Sequence, residues 1–434
     1  MNTETLTSYS ALAEQQESRS SFRMFVLYGL LLVMVGRVQE IFRFLAPFRL
    51  ALVFLFLSIP VAVKLFNEGK FKVWSCEGKT SRFLLGFCAA TVCSLIASNY
   101  TMASVNFLVF TLLANVLLCF FLANFVRSMA EVRKIVWLLT FIIVSLSIPA
   151  LTADADRWTT VGSSYDPNDT ALLIVTILPF VYYLSFQTTG VFKLFLRGSV
   201  LLLFTAFVAT GSRGGMVGMA AVIFVMICQV RRFTVFKKLL IFIAIGLVFF
   251  LLVPQALKDR IALLGTEADY NITDKFGRKQ IWERNLPIVL HNPLFGIGPG
   301  CFIIENGFLF AEEVGGASWK MTAHNSYLLV AVETGLTGLV LYVAFLGSSV
   351  VQMRRIRLAA AENPALEEHE WVARALEAAM TGFMVCAFFL SFAYYAIPFA
   401  VTGLGMAYMN ILASNGLLPR NDHDSGENRA VTGS

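Results

Sequence analysis

Long apolar runs with few charges alternate along the chain with short polar connections, the pattern of helices that cross a bilayer. The runs fall near Met24–Gly36, Leu50–Phe66, Phe83–Ser98, Val105–Val126, Ile135–Thr152, Ala171–Phe186, Ser199–Thr210, Gly214–Val230, Leu239–Pro254, Ala323–Val351, Ala375–Tyr395 and Pro398–Ser414. Against the roughly 20 residues a span needs, they predict about twelve crossings. Only thirteen residues separate Arg23 from Arg37, so the first run also reads as an interfacial or re-entrant helix continuing through Phe42 and Phe44. The expected class is an all-α polytopic integral membrane protein. Its expected parts are a cytoplasmic N-terminal tail (1–23), transmembrane helices 1–9 (24–254), a long periplasmic loop (255–320), helices 10–12 (321–418) with a cytoplasmic loop near 352–373, and a disordered cytoplasmic tail (419–434).

Composition agrees with the pattern. The 434 residues are 57% hydrophobic and 14% charged, include 40 Phe, and have a mean hydropathy of +0.71, too apolar for a water-soluble fold. The net charge of +6 follows from Lys and Arg flanking the spans and gives no reason to expect nucleic-acid binding. The N-terminus lacks the order of a cleaved signal peptide. Seven cysteines, among them Cys88, Cys93, Cys119, Cys228 and Cys386 inside apolar runs, form no CxxC pair and read as core residues.

Basic residues set the orientation. One set of alternate loops holds Lys64, Lys70, Lys72, Lys79 and Arg82, then Arg127, Arg133 and Lys134, then Lys193 and Arg197, then Arg231, Arg232, Lys237 and Lys238, then Arg354, Arg355 and Arg357. That set is expected to be cytoplasmic. The opposite set carries Asp154, Asp156, Asp166 and Asp169, and the long loop before His324 belongs to it. The charged stretch RIRLAAAENPALEEHEWVA reads as a solvated cytoplasmic helix or hairpin, with His369 at its surface.

Polar residues stand out in four places. His324 opens the tenth run in AHNSYLLVAVETGLTG; a continuous helix from there to Arg354 would span about 45 Å, against a hydrocarbon core of about 30 Å. His324 therefore belongs at headgroup level. There a histidine near its ordinary pKa can take a proton from a hydroxyl, or merely cap the helix beside Asn325. Arg213, in the small-residue turn TGSRGG, is expensive at a membrane edge and calls for an anionic partner, or else snorkels. Arg278 and Arg284, in GRKQIWER, are six residues apart, so on one helix they would not share a face closely, and Arg278 is the better candidate. In the loop TADADRWTTVGSSYDPNDTA, Asp154 and Asp156 form a DxD-like pair. Asp166, Asn168 and Asp169 read first as a turn and N-cap, and second as contacts to a sugar or an arginine.

Glu333 lies about 13 Å deeper than His324 on a continuous helix and needs a partner, Arg213 or a polar network. The glycines of HNPLFGIGPG, with Gly335 and Gly338, mark turns and close packing. That stretch does not follow a strand and is no dinucleotide fingerprint. His291, before Asn292 and Pro293, reads as a turn residue. No HExxH, Walker or GxSxG motif occurs.

TGSRGG, then GRKQIWERNLPIVLHNPLFGIGPG, then AHNSYLLVAVETGLTGLVLY, in that order and topology, resembles the O-antigen ligase and Wzy-type polymerase superfamily of bacterial envelope glycosyltransferases. The resemblance covers about Asp166 to Tyr342. It implies a GT-C-like, multi-pass protein of the bacterial inner membrane that moves a glycan from undecaprenyl diphosphate to a hydroxyl at the periplasmic face, by inversion, with no cofactor and no metal. By that likeness Arg213, Arg278 and, less directly, Arg284 bind the diphosphate, and His324 activates the acceptor, with Asn325, Glu333, Asp166, Asn168 and Asp169 in support. The acceptor is lipid A core or a growing polysaccharide; a protein side chain is the alternative. A lipid-linked sugar flippase is a different class, which predicts matched halves with broken helices at the midplane. An assembly subunit without chemistry would tolerate loss of His324.

Overall fold

The computed structural model describes residues 21–73, 79–152, 165–252, 255–262, 266, 269–315 and 321–418. The DxD-like pair Asp154 and Asp156, most of the N-terminal tail and the C-terminal tail lie outside them. Among the described residues the fold is all helix. The first group is α1 (Ser21–Met34), α2 (Val38–Ile41) with a 3-10 turn at Arg43–Phe48, α3 (Leu50–Asn67), α4 (Lys79–Ile96) and α5 (Thr101–Phe107), which runs through a π turn into α6 (Leu113–Phe125). Then come α7 (Met129–Thr152), α8 (Pro167–Phe186), α9 (Gly190–Thr210), α10 (Arg213–Cys228) and α11 (Val235–Leu252). Four helices form the long loop: α12 (Gln255–Ala262), α13 (Tyr270–Thr273), α14 (Arg278–His291) and α15 (Phe302–Val314). The chain closes with α16 (Ser326–Ala359), α17 (Pro364–Glu367), α18 (Glu370–Ala387) and α19 (Ala396–Ser414).

Among the described residues eight helices are long and apolar enough to span a membrane, and α1 and α10 are shorter apolar helices. The chain is an all-α polytopic membrane protein. Its middle is α8 and α19, whose apolar windows are 78% and 89% buried; α3 at 11% and α9 at 28% form the rim. On the rim, Phe192, Leu194 and Leu201 of α9 and Phe236, Leu247 and Leu251 of α11 stay exposed, as helices facing lipid require. Around the middle, α19 packs on α6, α16 on α4, and α18 on both α8 and α10.

Three local readings change. First, α1 ends before Gly36 and does not continue through Phe42 and Phe44. Its Val26, Leu27, Leu30 and Leu31 are buried in the bundle, while Phe42, Phe44 and Phe48 of the next segment are exposed. Second, the stretch around 357–374 is not simply solvated. Arg357 donates to Glu377 at 2.6 Å, Gln229 donates to Glu377 at 3.0 Å, and Arg231 and Arg374 converge on Glu370 at 2.7 and 3.0 Å. Burial of Arg357, Glu370 and Glu377 makes this a structural network, since a charge away from water must be paired.

Third, the tenth run is not one continuous helix. Gly335 has φ 69° and ψ −174°, and a Cβ there would sit 2.5 Å from the Leu294 carbonyl, so only glycine fits. The unwound turn is stitched to the loop after α14: Ile297 N donates to Val332 O at 3.0 Å, Gly298 N to Glu333 O at 3.1 Å, and Leu336 N to Pro293 O at 2.7 Å. These bonds satisfy backbone groups that a break in a helix would leave bare.

Candidate active site

His324 sits one residue before the N-cap of α16. Asn325 is that cap, its side chain accepting from Tyr327 N and Leu328 N at 2.9 and 3.0 Å, which satisfies two of the free amides of the first turn. His324 itself is left-handed, with φ 47°. Among the described residues only Arg37, Arg49 and His324 are non-glycines at positive φ. Strain of that kind persists only where the surroundings impose it. Here the loop is tied down on both sides of the imidazole: Trp282 Nε1 donates to Ala323 O at 2.9 Å, and Ser326 Oγ donates to Leu390 O at 2.6 Å. The ring Nε2 lies 3.4 Å from Thr322 Oγ1.

Trp282 is one turn along α14 from Arg278, so the bond that fixes the His324 loop also fixes the start of α14 beside it. Burial and the Arg278 charge push the His324 pKa below its usual 6.5, and Asp166 pushes back. A neutral imidazole at pH 7 is the form that accepts a proton. Asp166 is the N-cap of α8 in a reciprocal box with Asp169: Asp169 N donates to Asp166 Oδ1 at 2.8 Å and Asp166 N to Asp169 Oδ2 at 3.2 Å. Asn168 lies between them in the first turn, half-exposed.

Arg213 is the first residue of α10, after the N-cap Ser212, whose Oγ accepts from Gly215 N at 3.1 Å. The glycines that follow let α10 close on its neighbours. A Cβ at Gly214 would come within 2.7 Å of Phe389 Cβ, and one at Gly215 within 2.8 Å of Ala171 Cβ. Phe389 and its neighbour Phe388, just after α18, gather the site. Phe388 meets Trp282 edge-on at 5.6 Å and Tyr327 at 6.5 Å between centroids, so α14 and the start of α16 pack on one of these rings while the start of α10 packs on the other. The guanidinium of Arg213 faces Asp269 with Nη2 at 3.1 Å and Nη1 at 3.4 Å.

Arg284 is placed differently. It pairs with Glu313 at 2.7 Å, reaches Asn306 at 3.4 Å and lies 5.2 Å over the Phe310 ring, holding α14 against α15. Glu333 does not meet Arg213; its Oε1 accepts from Phe302 N at 3.2 Å, and it anchors the loop that fills the α16 break. His291 closes α14, its Nδ1 2.7 Å from Pro287 O.

Arg37 escaped the sequence reading. It lies over the rings of Tyr165 and Tyr395, 4.7 and 4.9 Å from their centroids, a double cation–π contact. Tyr165 adjoins the Asp166 cap, its hydroxyl donates to Val35 O at 3.0 Å, and Arg37 also acts electrostatically on Asp169. Arg278 and Asp166 thus both act on His324, and Arg37 acts in turn on Asp169, the partner of Asp166 in the cap. No local motif marks Arg37, because its two tyrosines come from distant parts of the chain.

A multi-pass membrane protein with a strained histidine among arginines at one end of its bundle is the class these elements define. Residues 198–343 match the family model described as O-antigen ligase, a stretch containing Arg213, Arg278, Arg284, His324, Asn325 and Glu333. Over that third of the chain the protein is similar to the O-antigen ligase family, which supports a ligase- or polymerase-type function in general. Arg37, Asp166 and Asp169 lie outside the matched stretch. No curated protein matches the chain.

Proposed function

We propose that the protein is a glycosyltransferase of the inner membrane that moves a glycan from undecaprenyl diphosphate to a hydroxyl of lipid A core or a growing polysaccharide at the periplasmic face. The observation that carries this reading is His324, half-buried and pushed toward its neutral form by burial and by Arg278, at the end of the bundle where α10 presents Arg213.

The acceptor hydroxyl gives its proton to His324 as its oxygen bonds the anomeric carbon. The bond from that carbon to the diphosphate breaks, and its electron pair leaves on the diphosphate oxygen. Arg213 and Arg278 take up the growing negative charge; planar guanidinium forks suit phosphate oxygens, and fixed charges in a dry site stabilise a transition state strongly. One displacement inverts the anomeric centre. With two arginines on the diphosphate, the chemistry proceeds without a metal. Arg284, committed to Glu313, supports the shape of the loop. Asp169 ties Arg37 electrostatically to the Asp166 cap that acts on His324, which suits that cap to the acceptor.

The test uses the purified protein in nanodiscs with undecaprenyl diphosphate-linked glycan and candidate acceptors, with EDTA present. Transfer with release of carrier diphosphate, lost in His324→Ala and Arg213→Ala, is expected. Movement of labelled lipid-linked sugar across the bilayer, with no transfer to any acceptor, would overturn the reading in favour of a transporter.

A further inference from the structure

We infer that the tip of the α14–α15 hairpin is seated in the bilayer, its exposed apolar side chains among phospholipid acyl chains of the leaflet at the active-site end. From Asn285 to Ile304 the chain carries no Asp, Glu, Lys or Arg. The charges of α14, on Arg278, Lys279, Glu283 and Arg284, all precede that run. The helix is thus divided along its length into a charged first half and an uncharged second half. The second half is apolar on two faces. Ile281 and Val289 are buried in one cluster with Ala331 and Val332 of α16. Leu286 and Leu290, one turn apart on the outer face, are exposed, Leu290 at 73%, and Leu294 in the following loop is 65% exposed. A helix end that is apolar on both faces calls for a dry neighbour on each.

Continuity with the spanning helices names the outer neighbour. The loop after α14 is held in the α16 break, where Leu336 N donates to Pro293 O at 2.7 Å. Leu336 and Val340, one turn apart on α16, are exposed on a helix of spanning length, so they face lipid. Leu294 therefore adjoins a surface that acyl chains already cover. The bonds at the tip set its depth. Ser94 Oγ, in the last turn of α4, donates to Glu333 O at 2.5 Å, and Ser98 Oγ, just past that helix, lies 3.4 Å from Cys301 Sγ. Since α4 is also of spanning length, the tip reaches the edge of the hydrocarbon and not its middle. The polar side chains of the run suit that place, because they close on their own helix. Asn285 Nδ2 donates to Ile281 O at 2.8 Å, Asn292 Nδ2 donates to Ile288 O at 3.2 Å, and His291 Nδ1 lies 2.7 Å from Pro287 O. Leu286 is one turn beyond Trp282, whose indole holds Ala323 O, so lipid contact steadies the α14 end of the bond that fixes the His324 loop.

The test places the photoreactive residue p-benzoylphenylalanine singly at four positions of the full-length protein in phosphatidylcholine nanodiscs. Leu290 and Leu294 are the positions in question, Val340 is the lipid-facing reference, and Lys279, on the charged half of α14, is the water-facing one. Intact-protein mass spectrometry after irradiation reads the adduct, and melting temperature checks that each variant is folded. The expected result is a mass increase of one phosphatidylcholine at Leu290, Leu294 and Val340, with none at Lys279. Absence of that increase at Leu290 overturns the assignment, and if the Leu290 variant does not fold, Leu294 decides in its place. A cross-linked dimer at Leu290 overturns it in favour of a second copy of the chain. The readout is lipid contact and not transfer, so its failure leaves the transferase reading intact, and loss of the transferase reading leaves the lipid contact standing.

Discussion

The two ends of the bundle use arginine in opposite ways. At one end Arg357 and Glu377 are both held on long buried helices, α16 and α18, with side chains only 10% and 8% exposed. At the other, Arg213 also faces a carboxylate, but Asp269 comes from the loop just before the single-turn α13, and the Arg213 side chain is 22% exposed. A carboxylate on a core helix leaves only if the fold opens; one on a loop can give way to a phosphate. Where a cation's partner is anchored therefore distinguishes an arginine locked into the fold from one whose anion can be exchanged, although both appear paired at rest.

The largest expected effect is at His324. His324→Ala should lower kcat by about 10²–10⁴-fold with donor binding retained. His324→Gly should be equally inactive yet melt higher than the alanine variant, because glycine adopts the left-handed backbone without strain. Differential scanning fluorimetry alongside the transfer assay separates the two effects, and a glycine variant that melts lower than the alanine variant would break the strain argument.

At the opposite end, Arg357→Ala leaves Glu377 buried without its ion partner and should destabilise by about 3–5 kcal/mol. Thermal unfolding in detergent reads this as a large fall in Tm, whereas Arg213→Ala, which leaves the buried Asp269 on a loop with Asn271 still donating to it, should lose transfer with a smaller fall in Tm. Equal melting losses in both variants would erase the contrast between the ends.

A smaller effect sharpens the comparison. Asp269→Asn should raise affinity for inorganic pyrophosphate about three- to tenfold, because Arg213 no longer exchanges one anion for another. Unchanged affinity by isothermal titration calorimetry would mean that the carboxylate does not compete. The smallest effect is on pH. Catalysis needs neutral His324, so the rate falls as pH drops through its pKa, and that limb should lie below 6.5. Removing the positive charge with Arg278→Gln should move the limb of kcat/KM to higher pH in the residual activity, and Asp166→Asn should move it lower.

Much of the bundle was legible because lipid demands apolar runs of a set length, and the pattern of those runs survives in sequence. His324, Arg213 and Arg278 stand out in the sequence for a related reason: polar groups at a membrane edge are costly. Arg37 does not, since it is one arginine among several near an interface and acquires meaning only from Tyr165 and Tyr395. The helix break was missed as well. Gly335 reads equally as a packing residue, and its left-handed turn is dictated by the Leu294 backbone of another segment. The second ion-pair network was hidden by its own composition, because a run of charges carries no mark of which members turn inward.

The break in α16 also governs how the chain can be built. Ribosomal synthesis releases the 292–300 segment before α16, so that segment already waits at the membrane when the unwound turn at Val332–Leu336 arrives. The turn cannot settle in lipid with its amides and carbonyls bare, and the partners it needs are the backbone groups of Pro293, Ile297 and Gly298. Seating of this helix in the bilayer therefore depends on a stretch of chain made before it.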